Sequence, residues 1–189
     1  MYKFLKMLVS CFVHLIFRIK ITGLENIPDK GGAIICANHL SAWDPVVLQI
    51  VVKRRIYYMA KIELFKVFFV GFILKRIKAI PVKRTGSDIT AIKQSLKILK
   101  GGDLLGIFPT GQREMVKGEG EVKAGVGLIA GKTGAAVIPV HIDATFKWFS
   151  KVTVNIGEPM LCAAPDGGKV SVEVAEEFSK DIYSKIKSL

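Results

Sequence analysis

In the segment CANHLSAWDP, residues 36–45, a histidine stands five residues before an aspartate, and a proline closes the run. An imidazole beside a carboxylate makes a general base with its orienter. The acid fixes the ring's tautomer and stabilises the cation that forms when the other ring nitrogen takes a proton. On a continuous helix, residues 39 and 44 point about 140° apart, so His39 and Asp44 meet only if the backbone turns between them. Pro45 favours such a turn, because the residue before a proline is pushed out of helical backbone. The plainer role for Asp44 is the N-cap of a helix opening at Pro45, and a carboxylate with two oxygens can cap and orient together.

No activated nucleophile accompanies the pair. Cys36, on an apolar run just upstream, is expected to be buried and inert. Ser41 lacks the Gly-x-Ser-x-Gly elbow that exposes a nucleophilic serine. A histidine with an orienting acid and no nucleophile suits direct base catalysis, the imidazole taking a proton from a substrate hydroxyl. Further along, in IFPTGQRE (107–114), Pro109 and Gly111 force a turn after an apolar run, and Arg113 projects from it. AIPVKR ends in the same manner with Arg84. Arginines just beyond strand ends are placed for bidentate contacts with a phosphate, although each alone also reads as an ordinary surface charge. GVGLIAGKTG (125–134) imitates a phosphate loop but has Val126 where that pattern needs glycine, so its small residues are read as a close-packed helix.

The elements that must hold these residues follow from hydrophobic patterning. Residues 33–37 are a short apolar run after Gly31-Gly32 and read as a buried strand, delivering His39 to its carboxyl end, where open α/β sheets place functional groups. Further strands are expected at 56–60, 79–82, 104–108, 135–142 and 152–156, and helices at 45–52, 61–77, 87–100, 124–132 and 170–186. The alternation argues an α/β fold: a single domain with a mostly parallel central sheet flanked by helices.

Composition narrows the partner. The chain of 189 residues has 50% hydrophobic residues and a formal charge of +12. Residues 1–100 carry 18 Lys+Arg against 5 Asp+Glu, whereas the remainder carries 10 against 11. A half that is both basic and apolar suits an anionic membrane surface better than nucleic acid, whose binding motifs are absent. At the start, an apolar stretch from Met7 to Phe17 is bracketed by Lys3, Lys6, Arg18 and Lys20. It is too short to span a bilayer, which takes about 20 residues, and it reads as an interfacial helix over residues 1–20 ahead of a domain over 21–189. Packing on the protein's own core is its alternative. The helix at 61–77, apolar nearly all round, reads as a second interfacial element. Cys11, Cys36 and Cys162 form neither a disulfide framework nor a metal spacing, so a reducing compartment and no metal are expected.

Asn38, His39 and Asp44 as NHxxxxD, a strand ending in Arg84, FPxGxR from Phe108 to Arg113, and VIPV from Val137 occur in this order. The set resembles the glycerolipid acyltransferase family, above all its bacterial 1-acylglycerol-3-phosphate acyltransferases, from about Gly23 to Pro159. The resemblance implies transfer of a fatty acyl group from a thioester of acyl carrier protein or coenzyme A to a lysophospholipid hydroxyl, giving phosphatidate, with no cofactor. It implies His39 as base, Asp44 as its orienter, Arg84 and Arg113 on the acceptor's phosphate, and Gly111 admitting close backbone approach. The family's third block usually reads FPEGTR or FPEGSR; here Thr110 replaces the glutamate and Gln112 the small hydroxyl residue. Thr110 and Asn38 are then the candidates for positioning the acceptor. The expected location is the cytoplasmic face of the cell membrane, peripheral or monotopic. The alternatives are the same chemistry on another lyso-lipid and a non-catalytic lipid-binding protein.

Overall fold

Every residue of strand β2 (Ala33–Ala37) is buried, and the sheet is laid out on both sides of it. The computed structural model describes residues 2–83, 89–111, 113, 122, 124–164 and 169–189. Its other strands are β1 (Arg18–Thr22), β3 (Ile56–Lys61), β4 (Ile80–Val82), β5 (Leu104–Ile107), β6 (Ala136–Ala144) and β7 (Lys151–Ile156). They form one seven-stranded sheet in the order β1-β7-β6-β2-β5-β3-β4. All neighbours are parallel except β6 and β7, so β1 and β7 run opposite to the other five strands. The α/β fold with a mostly parallel sheet is thus the one expected.

Alternation along β2 divides the core. Ala33, Ile35 and Ala37 face one layer with Val47 and Leu48 of α2 (Asp44–Val51) and Val13 of α1 (Tyr2–Ile16). Ile34 and Cys36 face the other, with Leu99 of α4 (Ile89–Lys100), Ile129 of α5 (Gly125–Thr133), and Ile182 and Ile186 of α6 (Val172–Ser188). A strand covered on both faces reads as a continuous apolar run, which is what AIICA is. Helix α5 packs so closely on α6 that a Cβ at Gly127 would lie 2.0 Å from the Ala175 carbonyl oxygen. This explains the small residues of the false phosphate loop.

Two expectations need correction, on residues 1–20 and on residues 61–77. The N-terminal helix ends at Ile16, and Arg18–Thr22 are an edge strand beside β7, so a boundary at residue 20 cuts through the sheet. The period-2 alternation in RIKIT carries that strand, and its outward charges suit an edge. Helix α1 also has two apolar stripes. Val13 and Ile16 are buried and Val9 packs against them, whereas Phe4, Met7, Leu8, Phe12 and Leu15 are exposed at helical spacing. Finally, residues 61–77 are not one helix: a 3-10 segment, Ile62–Lys66, is followed by α3 (Phe68–Arg76). Val67 is extended between them, and Gly71 lets α3 fold back on the Phe65 carbonyl, 2.3 Å from where a Cβ would stand.

Candidate active site

The chain leaves β2 for β3 across β5, and leaves β5 for β6 back across β2. The loops after β2 and β5 therefore part at the carboxyl ends of the strands and leave a crevice, where open α/β sheets bind ligands. His39 is the second residue of the first loop and Phe108 the first of the second.

His39 Nδ1–H donates to Asp44 Oδ2 at 2.8 Å. A carboxylate can only accept, so Nδ1 carries the proton and Nε2 is the nitrogen offered to a substrate. The backbone makes the turn that the five-residue spacing demands. Leu40 N–H and Ser41 N–H donate to the same Oδ2 at 2.6 and 2.7 Å, and Asp44 N–H donates back to the Ser41 carbonyl at 3.2 Å. Three donors converge on one oxygen, while Asp44 Oδ1 is buried with no hydrogen-bond partner among the described residues. Asp44 is wholly buried and the His39 side chain is 17% exposed. The N-cap expectation is corrected here. Asp44 is the first residue of α2, Trp43 occupies the cap position, and the carboxylate reaches back to the preceding loop rather than forward to helix amides.

Among the described residues, neither candidate nucleophile is paired with a base. Cys36 is buried and desolvation pushes its thiol pKa up, out of thiolate range. The Ser41 hydroxyl accepts from Trp43 N–H at 3.3 Å, bracing the turn.

Phe108 opens the FPxGxR block but was given no role of its own in the sequence, yet it sets the imidazole plane. The two rings stack with centroids 4.2 Å apart and planes 22° apart. Tyr58 lies beyond Phe108 at 6.2 Å and nearly parallel. Gly106 makes room for it, since a Cβ there would come within 2.3 Å of the Tyr58 ring. Pairing of β3 with β5 puts Tyr58 opposite Gly106, a juxtaposition that single-strand patterns do not reveal.

The imidazole opens on a cleft of about 270 Å³, lined in part by His39, Phe108, Pro109 and Gly111. Its walls are apolar, with Met59, Val82, Ala91, Ile92, Val126 and Ile129, and it also carries Lys61 and Lys83 from the ends of β3 and β4. Both lysines sit at strand carboxyl ends, the rule that located His39, but lysines are too common in this half of the chain for the sequence to mark them. Lys61 is 3.9 Å from Glu63, with both side chains exposed.

Phe108, Pro109, Thr110 and Gly111 form the expected turn. Gly111 N–H donates to the Phe108 carbonyl at 2.9 Å, and Gly111 has φ of 66°, backbone that favours glycine. Arg113 is exposed just past the turn and is not part of the cleft lining. Arg84 and Gln112 lie outside the described residues. The two acceptor-positioning candidates are placed elsewhere. Thr110 is 3% exposed and absent from the cleft wall. Asn38 is buried, with its Nδ2–H donating to the Ile142 carbonyl at 2.9 Å and its Oδ1 accepting from Ile142 N–H at 2.7 Å. It clamps the end of β2 to β6 and so fixes where His39 emerges. Asn38→Ala, which strips partners from two buried backbone groups, should lower stability by about 2 kcal/mol or more. An unchanged denaturation midpoint would refute the clamp.

A model of the acyltransferase family matches residues 18–143, two thirds of the chain and the whole of this site. The chain belongs to the acyltransferase family. The acyltransferase is 33% identical over 167 residues to a protein of Bacillus subtilis named 1-acyl-sn-glycerol-3-phosphate acyltransferase, spanning 85% of this chain and 82% of that one. A protein of the same name from Borreliella burgdorferi is 33% identical over 136 residues, spanning 71% of this chain and 54% of its own. Among solved structures, the 1-acyl-sn-glycerophosphate acyltransferase PlsC of Thermotoga maritima superimposes with a TM-score of 0.71 at 26% identity, covering 99% of the acyltransferase and 81% of that chain. The Phe108–Gly111 turn and the His39–Asp44 pair both fall inside the family match.

Proposed function

We propose that this acyltransferase moves a fatty acyl group from a thioester, of acyl carrier protein or coenzyme A, to the free hydroxyl of 1-acylglycerol-3-phosphate, forming phosphatidate at the cytoplasmic face of the cell membrane. The observation that carries the reading is the oriented imidazole: Nδ1 is spent on a buried carboxylate, and the ring faces an apolar-walled cleft. His39 Nε2 takes the acceptor's hydroxyl proton as its oxygen attacks the thioester carbonyl. Asp44 stabilises the imidazolium, which returns the proton to the departing thiolate. The apolar wall suits an acyl chain, and Lys61 and Lys83 in the cleft suit the acceptor's phosphate, with Arg113 and Arg84 assigned there by their places in the motifs. With Thr110 turned into the protein, Gly111 is the residue of this turn that lets the acceptor approach backbone.

Membrane attachment is supported by the outward stripe of α1 and by the exposed apolar face of α3. Among the described residues no helix is long and apolar enough to cross a bilayer, which is compatible with a peripheral or monotopic arrangement. The test is an acyl-transfer assay on anionic vesicles with each thioester in turn, offering lysophosphatidate beside other lyso-lipids. Turnover on lysophosphatidate is expected. Turnover confined to another lyso-lipid would move the acceptor and keep the chemistry, and vesicle binding without any turnover would favour a lipid-binding role.

A further inference from the structure

Two large aromatic side chains stand in water at the tip of the β6–β7 hairpin: Trp148 is 75% exposed and Phe149 is 66% exposed. The backbone that presents them is strained, since Phe146 and Phe149 have φ of 51° and 62°, a region that residues with a Cβ avoid. The loop's other aromatic, Phe146, turns inward and packs edge-to-face on Phe17 at 5.6 Å. One ring thus secures the loop while two are held outward.

The tip is fixed to the end of α1. Phe149 N–H donates to the Ile16 carbonyl at 2.7 Å, Ser150 N–H to Lys147 at 3.0 Å, and Arg18 N–H to Ser150 at 3.0 Å. It therefore continues the exposed stripe of α1 that ends at Leu15. Arg18, Lys20, Lys147 and Lys151 are exposed around it, and Asp143 is the hairpin's one acid. Strand direction supplies the remaining link. Because β6 is parallel to β2, the hairpin tip lies at the same rim of the sheet as His39. The 3-10 segment leading to α3 leaves that rim on the other flank, after β3.

We propose that the Trp148–Phe149 tip is a wedge that enters the headgroup region of an anionic bilayer and holds the His39 rim against the lipid. Aromatic rings with an apolar body, ringed by basic side chains, match that interface. The proposal rests on the membrane reading above and adds the place of contact.

Trp43→Phe in the full chain leaves Trp148 as the only tryptophan. With vesicles of phosphatidylglycerol and phosphatidylcholine, its emission should shift to the blue and be quenched by brominated acyl chains. Should that variant fail to fold, subtracting the Trp148→Phe spectrum from that of the unsubstituted protein isolates the same signal. The double variant Trp148→Ala, Phe149→Ala should lose at least about tenfold in vesicle partitioning, with its circular dichroism and melting midpoint unchanged. Vesicle binding with Trp148 emission still that of water would overturn the wedge and leave the membrane reading standing. A chain that never sediments with vesicles would overturn both.

Discussion

Alanine at position 39 should lower acyl transfer by about 10²–10⁴-fold, the usual contribution of a positioned general base, while the protein stays folded. The site explains why the two effects separate. The His39 side chain is partly exposed, and its loss leaves Asp44 Oδ2 still accepting from Leu40 and Ser41. Among the described residues, what is removed is one hydrogen bond and a ring stacked on Phe108, a loss of about 1–2 kcal/mol. Steady-state assay beside a melting curve checks both halves. Turnover within tenfold of the unsubstituted enzyme would sink the base assignment, and a collapsed melt would show that His39 does more for the fold than its contacts suggest.

The second large effect belongs to Asp44, where two substitutions should part company. Asp44→Ala removes the acceptor of two loop amides and the orienter of the ring together. Those are charge-assisted bonds in a buried site, so a stability loss of about 2–4 kcal/mol is expected along with loss of turnover. Asp44→Asn is gentler on the fold. All three donors meet at one oxygen, so an amide with its oxygen in that place keeps all three bonds and sets its NH₂ where Oδ1 now lies without a partner among the described residues. The turn survives but the negative charge that stabilises the imidazolium does not. Turnover should fall by about 10²–10⁴-fold with a melting midpoint much closer to the unsubstituted protein than that of Asp44→Ala. Equal stability losses in both variants would show that the charge, rather than the hydrogen-bond geometry, holds the loop.

The sequence was most legible where one physical constraint acts on contiguous residues. AIICA, bounded by a Gly-Gly turn, read as a strand covered on both faces, and a histidine two residues past its end was then placed at the sheet's carboxyl rim. The five-residue interval to Asp44 required a turn, which exists, but patterning could not tell that the carboxylate points backward: Leu40 and Ser41 amides are invisible in a side-chain code. Edge strand β1 lay concealed in a segment whose grease resembled the helix before it, even though RIKIT alternates. Pairwise facts were out of reach. Tyr58 behind Phe108 depends on the β3–β5 register, and the Asn38 clamp joins residues 104 positions apart. Asn38 and Thr110, candidates for the acceptor by position in a motif, are buried and outside the cleft lining. The two faces of α1 were legible in principle, because one stripe packs on the domain and the other repeats at helical spacing outside it.

The convergence on Asp44 Oδ2 also bears on how such a site would drift. One atom serves both the architecture of the loop and the chemistry of the ring, so selection for folding alone would keep an acceptor at position 44 after selection for turnover had ceased. Position 39 has no such second duty of comparable weight. In a lineage losing activity, the histidine would be free to vary first, and the aspartate would persist as a fossil of the turn. An intact aspartate in a related chain therefore certifies the loop, and only the histidine beside it speaks for the reaction.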